Sequence, residues 1–410
     1  MTDGMLEDDE AASRPPNGSN GALGIEVSFV MPCLNEVETL EGCIKAARKC
    51  IADHGLQAEV IVADNGSSDG SQELATRCGA RVVVVTDKGY GAALTGGFAA
   101  ARGRYLVMGD ADQSYDFGEA FGMIEKLRSG ADVVMGSRIL GRIEKGAMPW
   151  SHRWIGNPVL SFLGRALFRS KISDFHCGLR ALTRESYERL DLRTTGMEFA
   201  SELVVKASAS RMRIEEIPIT LYPDQRSRPP HLRTWRDGWR HLRFMLTLSP
   251  RYTLFLPGLM LMTVGGALLI RLYQGPLAIG PVVLDIHSMQ LASLFVIVGY
   301  QAMTTAIAAR IFAVSEEIGP SAPWMQRAFK IFTLERGLSA GLLVSLAGVA
   351  FIGVAVRSWA ELDFGPLEPS TTMRPVSLGA TLIALGMQTL LMSFLYSMLG
   401  IRRRRPGRSA

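Results

Sequence analysis

The chain reads as an α/β domain with a mostly parallel sheet, followed by an all-α domain of four membrane-crossing helices. Three observations predict this. Short apolar runs alternate with amphipathic stretches through the first half. Four apolar stretches, each near the ~20 residues needed to cross hydrocarbon as a helix, fill the second half. Finally, 48% of the 410 residues are hydrophobic and only 20% charged, with a mean hydropathy of +0.16. That charge is below the roughly one quarter usual for soluble domains. A disordered or fibrous chain is excluded, and part of this one belongs in lipid.

Taken in order, residues 1–24 hold an acidic cluster and then Pro15-Pro16-Asn17-Gly18, the composition of a flexible tail. Residues 25–222 form the α/β domain. Its expected strands are Val27–Met31, Val60–Ala63, Val82–Thr86, Tyr105–Met108 and Val133–Gly136. Its expected helices are Glu36–Ile51, Ser71–Cys78, Ala92–Arg102 and Glu119–Ser129. In such a sheet the ligand lies beyond the carboxyl ends of the strands.

Residues 223–252 interleave Arg236, Arg240 and Arg243 with Trp235 and Trp239 just before the first apolar span, describing a loop and an amphipathic helix at a membrane interface. Residues 253–400 carry the spans Leu254–Leu272, Met289–Ile311, Leu338–Val356 and Val376–Leu399, and 401–410 form a basic tail. Arg327 and Lys330 lie between the second and third spans. Tyr273–His287 has neither Lys nor Arg, and Ser358–Pro375 has only Arg374. The positive-inside rule then expects both termini and the α/β domain on the cytosolic side of a cell or inner membrane. The N-terminus carries no apolar run of the kind a signal peptide needs.

The net charge of +5 and pI near 9.0 do not make this a nucleic-acid binder. Arg402, Arg403, Arg404, Arg405 and Arg408 account for all of the excess. Five cysteines, all in the first half and without a C-x-x-C pair, read as reduced core thiols rather than a disulfide framework or zinc site. Gly337, Gly341 and Ser345 recur every fourth residue along the third span, a face for close helix contact within the chain or between copies of a homo-oligomer. Gln290, Gln301 and Gln388 are expected to make interhelical hydrogen bonds.

The residues that carry chemistry fall at strand ends. Gly109-Asp110-Ala111-Asp112 follows the fourth strand, and paired carboxylates can hold a divalent cation through hard oxygen ligands. Asp64-Asn65-Gly66-Ser67-Ser68-Asp69 follows the second strand. Ser68 or Asp69 should cap the next helix, while Asp64 is left for a ligand. Pro32-Cys33-Leu34-Asn35-Glu36 follows the first, and Lys88-Gly89-Tyr90-Gly91 opens a helix with backbone bare enough for close approach.

This ordered set, with Gly136-Ser137-Arg138, resembles the family two glycosyltransferases with the GT-A (Rossmann-like) fold, and is most similar to the polyprenyl-phosphate or dolichyl-phosphate hexose synthases. The resemblance runs from about Val27 to Arg251. It implies that Pro32, Leu34, Glu36 and Asp64 meet the base and ribose of a nucleotide sugar, and that Asp110, Ala111 and Asp112 meet its sugar and diphosphate. It further implies Mg2+ or Mn2+ on Asp112 and Asp110, with Gln113, Ser114 or Asp116 as a second-ligand candidate. Arg138, Arg153, and Arg226 or Arg228 match the arginines that hold an acceptor phosphate, with Asn157 where relatives carry a serine.

The chemistry is coherent. A leaving diphosphate needs neutralising charge. A lipid phosphate acceptor is already anionic and needs arginines rather than a general base. Asp174 is the nearest base-like residue, and a brace for its loop is the other reading. The expected activity is transfer of a hexose from UDP-glucose or GDP-mannose to a polyprenyl or dolichyl phosphate, with a mobile Pro229-Pro230 loop over the site. A processive polysaccharide synthase is disfavoured because Trp150 stands where the Q-x-x-R-W motif needs Gln before Arg153-Trp154. A non-catalytic membrane scaffold would not need Asp110, Asp112 and Arg138.

Overall fold

The computed structural model describes residues 24–168, 170–227, 234–315 and 333–400. Arg228, Pro229, Pro230, Arg327, Lys330, the tail before residue 24 and the basic tail from residue 401 lie outside the described residues.

Seven strands form one sheet: β1 Val27–Cys33, β2 Ala58–Asp64, β3 Arg81–Val84, β4 Tyr105–Met108, β5 Val133–Ile143, β6 Arg180–Thr183 and β7 Ile214–Leu221. Their order is β3-β2-β1-β4-β6-β5-β7. All run parallel except β6, which lies antiparallel between β4 and β5. The strand order reverses at β1 and β4, so their carboxyl ends open a crevice there.

One face is covered by α1 Leu40–Asp53, α2 Ser71–Arg77 and α4 Ala120–Arg128, the other by α3 Tyr90–Ala100, α6 Arg184–Leu190 and α7 Phe199–Ala209. Helix α1 buries Leu40, Cys43, Ile44, Ala47 and Cys50, the spacing of a single helical stripe. It starts four residues later than its sequence pattern suggests. Glu36–Thr39 is instead a turn, with Glu36 N–H donating to Ser71 Oγ and Val37 N–H to Asp69. Four of the five cysteines are buried, and all are free thiols, as expected.

Strands β6 and β7 and the far half of β5 were not among the expected elements. Strand β6 is four residues long and sits after a loop, so no periodicity announces it. Strand β5 continues past Gly136 to Ile143, with a register shift between Ser137 and Arg142 that turns Arg138 toward the crevice end of the sheet.

Two further helices flank the domain. A wide turn at His152–Gly156 leads into α5 Asn157–Phe168, and α8 Thr234–Thr247 packs against it. Helix α8 buries Asp237, His241 and Met245 and exposes Trp235 and Trp239. The segment leading into α5 does the same without having been predicted. Trp150, Trp154, Ile155, Val159 and Phe162 are all exposed.

Helices α9 Leu256–Tyr273, α10 Ile286–Ser315, α11 Leu334–Ala360 and α12 Pro369–Leu399 supply four segments long and apolar enough to cross a membrane. Most of their surface faces outward and is apolar, the reverse of a water-soluble bundle. Helices α11 and α12 approach backbone to backbone. A Cβ on Gly348 would lie 2.6 Å from the Gly379 carbonyl oxygen, and one on Gly341 would lie 2.8 Å from that of Gly386. The small-residue face is therefore used within the chain. Between α10 and α12, Gln290 donates to Ser377 and Tyr300 pairs with Thr389. Gln301 reaches only Thr305 on its own helix, and Gln388 Oε1 is buried without a partner, so the interhelical expectation holds for Gln290 alone.

Candidate active site

The crevice is built from loops that fasten one another. Asn35, at φ 58°, donates its N–H to Ser67 Oγ and accepts from the N–H of Ser68. This joins the Pro32–Glu36 loop to the Asp64–Asp69 loop. Asp64 is not the free acceptor its position suggested. Its carboxylate takes the N–H groups of Gly66 and Ser67 and the side-chain amide of Gln72, and so shapes the turn. Asp69 caps α2 through the N–H of Ser71. Gly89, at φ 132°, has no room for a side chain, since a Cβ would meet Thr195 O at 2.2 Å.

Asp110 and Asp112 end β4 on the crevice floor. Tyr90 donates its hydroxyl to Asp110 Oδ1 at 2.9 Å. Burial, and then the charge of Asp112, push the Asp110 carboxyl up to about 6. Gly178 passes so close that a Cβ would lie 2.4 Å from Asp110 Oδ2. Asp112 is nine-tenths buried. Its Oδ1 accepts from Ser114 N–H and Ser114 Oγ, and its Oδ2 from Arg226 Nη2 at 2.7 Å. Ala111 is buried between the acids, its carbonyl accepting from Thr39.

Of the second-ligand candidates only Ser114 stands beside Asp112. Gln113, at φ 62°, turns its amide to the Thr39 carbonyl, and Asp116 caps the short 3-10 turn through Gly118 N–H. Among the described residues, no group of three His, Cys, Asp or Glu side chains converges as a complete metal shell. Two neighbouring carboxylates, one with its pKa raised by burial and by the charge of the other, and an arginine drawn onto that other, fit a hard cation whose shell a diphosphate completes.

Asp110 gives a test of the pH response. A raised pKa means the ionised form is disfavoured in the fold, whereas a cation requires that form. Mn2+ affinity of the full chain should hold above pH 7 and fall as the pH drops through about 6. Constant affinity down to pH 5 would show Asp110 ionised throughout.

Two strands away, Arg138 is pinned by Asp174. Nε lies 2.6 Å from Oδ2 and Nη2 2.7 Å from Oδ1, with side chains only 9% and 1% exposed. Burial opposes the charge on Arg138, but the Tyr115 and Asp174 oxygens beside it carry its pKa above the usual value. Asp174, with both oxygens taken, braces its loop. Arg180, fully buried, holds the same loop through the carbonyls of Phe175, Cys177 and Ala200. His152, on the turn before α5, is pushed below its ordinary pKa first by burial and then by the Arg138 charge. On that turn Arg153 lies over the Trp154 ring at 5.6 Å, and Asn157 donates to the Met148 sulfur. Pro32 and Leu34 are half-buried on the crevice wall, with Glu36 buried beside them.

The structure thus gathers Glu36, Asp110, Asp112 and Arg226 at one centre and Arg138 and Asp174 at a second. Arg228 lies outside the described residues. Sequence reasoning missed Tyr90, Gly178 and Glu38. A glycine after a buried loop cysteine was the one available signal for Gly178; the other two needed the fold.

Residues 28–191 match the family described as Glycosyl transferase family 2, and residues 307–400 match the Glycosyltransferase family 2 C-terminal transmembrane region. The Low-salt glycan biosynthesis hexosyltransferase Agl6 of Haloferax volcanii is 36% identical over 91% of this chain and 89% of its own length. The Glycosyltransferase AglJ of the same organism is 32% identical over 52% of this chain and 68% of its own. The Dolichol-phosphate mannosyltransferase of Pyrococcus furiosus is 29% identical over 48% and 56%. With its four apolar helices the protein is an integral membrane glycosyltransferase, and the chain belongs to glycosyltransferase family 2.

Proposed function

We propose that this enzyme moves a hexose from a nucleoside diphosphate sugar, UDP-glucose or GDP-mannose, to the phosphate of a polyprenol on the cytosolic face of the membrane. The observation that carries this reading is the placement of a buried acidic pair and a buried arginine two strands apart, beside helix α5, whose outer face is aromatic and apolar, and helix α8, which exposes Trp235 and Trp239 among Arg236 and Arg243. Contiguous exposed apolar surface of this kind on a membrane protein favours a lipid-facing role.

Pro32, Leu34 and Glu36 line the wall that receives base and ribose, with Asp64 holding the turn beneath them. Asp110 and Asp112 hold the cation, with Ser114 Oγ orienting Asp112. When bound, that ion neutralises the diphosphate as it leaves the anomeric carbon. Arg138, with Arg153 and Asn157 on the adjoining turn, draws in the lipid phosphate. Asp174 fixes the guanidinium so that it does not have to be ordered when the acceptor arrives. The phosphate oxygen attacks as an anion, so no side chain has to remove a proton.

The test is transfer of label into the organic phase. Membranes containing the protein are given polyprenyl phosphate, Mg2+ or Mn2+, and labelled UDP-glucose or GDP-mannose in turn. An acid-labile labelled lipid with either donor is the expected product. Label released only as free sugar would sink the lipid-acceptor reading.

A further inference from the structure

The segment from Tyr222 to Ser227 lies across the acidic pair and brings a cation of its own. It is laid down by β7. Leu221 bridges to Tyr115, Tyr222 N–H donates to Ser114 O, and Gln225 N–H donates to Asp112 O at 3.3 Å. Arg226 then turns inward. Its Nη2 lies 2.7 Å from Asp112 Oδ2 and 3.1 Å from Asp224 Oδ2, and its Nη1 lies 3.1 Å from Glu36 Oε1. The side chain is 10% exposed. The next residue fastens the strap a second time, with Ser227 N–H and Oγ both on the Glu38 carboxylate.

A guanidinium and a divalent ion cannot share Asp112 Oδ2, because two cations would then stand within a bond length or two of each other. The arginine meets a physical need while no donor is present, since buried carboxylates without countercharge are costly. Yet this clasp is not built like the Arg138–Asp174 brace. Arg226 Nε is buried with no hydrogen-bond partner, and its three carboxylates are each touched through one nitrogen. It is a contact that compensates the site while leaving something to gain by letting go.

We propose that Arg226 is a built-in competitor for the divalent cation: the strap latches the free enzyme, and the cation arriving with the donor displaces Arg226 from Asp112 and Glu36. This rests on the reading above that Asp112 holds the cation. The displaced guanidinium, still tethered beside the crevice, meets the phosphates that have just entered. Donor binding thus precedes release of the strap, and an empty site stays shut. Because strap and cation exclude each other on Asp112, whatever loosens the strap raises the unlatched fraction and tightens cation binding by that increase.

The experiment uses the full chain in lipid nanodiscs and Mn2+ alone, without nucleotide, reading free Mn2+ by electron paramagnetic resonance. Wild type, Arg226→Gln, Glu38→Gln and Asp112→Asn are compared. Glu38→Gln loosens the strap without touching the acid pair, so it guards against a folding defect in Arg226→Gln. With about one molecule in ten unlatched at rest, Arg226→Gln should bind Mn2+ about tenfold more tightly, and Glu38→Gln should shift the same way by less. Asp112-dependent Mn2+ binding that neither strap variant strengthens overturns the latch and leaves the proposed function standing. Absence of Mn2+ binding in both wild type and Arg226→Gln, persisting when UDP or GDP is added to complete the shell, removes the cation from Asp112 and overturns both.

Discussion

Asp112→Asn should lower hexose transfer by on the order of 10³ at saturating Mg2+ or Mn2+, the scale on which removing a preorganised charge from a buried site slows reaction. The substitution preserves size, and an asparagine oxygen still accepts from Ser114 N–H, so the loop should keep its shape. What goes is the negative charge on Oδ2, where Arg226 now lies. The measurement is label entering the organic phase, read alongside nucleotide binding without metal, which should be unaffected. Transfer within tenfold of wild type would take Asp112 out of the chemistry.

The second large effect is at Arg138. Arg138→Ala strands Asp174, 1% exposed, without its countercharge, a loss of about 3–5 kcal/mol for a broken buried pair. That is a large share of the ~5–15 kcal/mol that holds a domain together. The single variant should therefore melt early and transfer nothing, for two reasons that must be separated. In Arg138→Met with Asp174→Asn both charges of the pair are gone, and the asparagine oxygen can still accept one of the two backbone N–H groups, that of residue 138 or that of His176, which the two carboxylate oxygens now share between them. The double variant should recover most of the melting temperature, bind the nucleotide sugar within a few-fold of wild type, and still fail with polyprenyl phosphate. Restored transfer would free Arg138 of any acceptor role. Lost nucleotide affinity with normal lipid affinity would reverse the assignment of the two ends of the site.

Much of this arrangement was legible because it is local. Strands β1, β2 and β4 are continuous apolar runs, buried on both faces, and each ends in residues that sheets of this kind turn toward ligand. The four apolar helices announce themselves by length alone. The contacts that were not legible join distant stretches. Arg226 meets Asp112 across 114 positions and Glu36 across 190, and no spacing rule links them. The turn-shaping contacts of Asp64 went unread for the opposite reason. Its partners Gly66, Ser67 and Gln72 are close by, but whether a carboxylate before a turn serves the turn or a ligand is decided by backbone direction. The apolar face running into α5 was there to be read. Trp150, Trp154, Ile155, Val159 and Phe162 follow helical spacing, and only their outward direction needed the fold.

Strand β6 acts as a spacer. Lying antiparallel between β4 and β5, it sets the acidic pair and Arg138 two strand widths apart, about 9–10 Å, where direct pairing of β4 with β5 would have left about 5 Å. In the proposed reaction the narrower gap would leave no room for a sugar ring between the acidic pair and Arg138. The wider one would accommodate a single ring between the donor diphosphate and the acceptor phosphate. For that reaction the reach of the transfer would follow from backbone hydrogen bonding, and substitutions in the side chains of β6 should alter stability long before they alter how far the sugar travels.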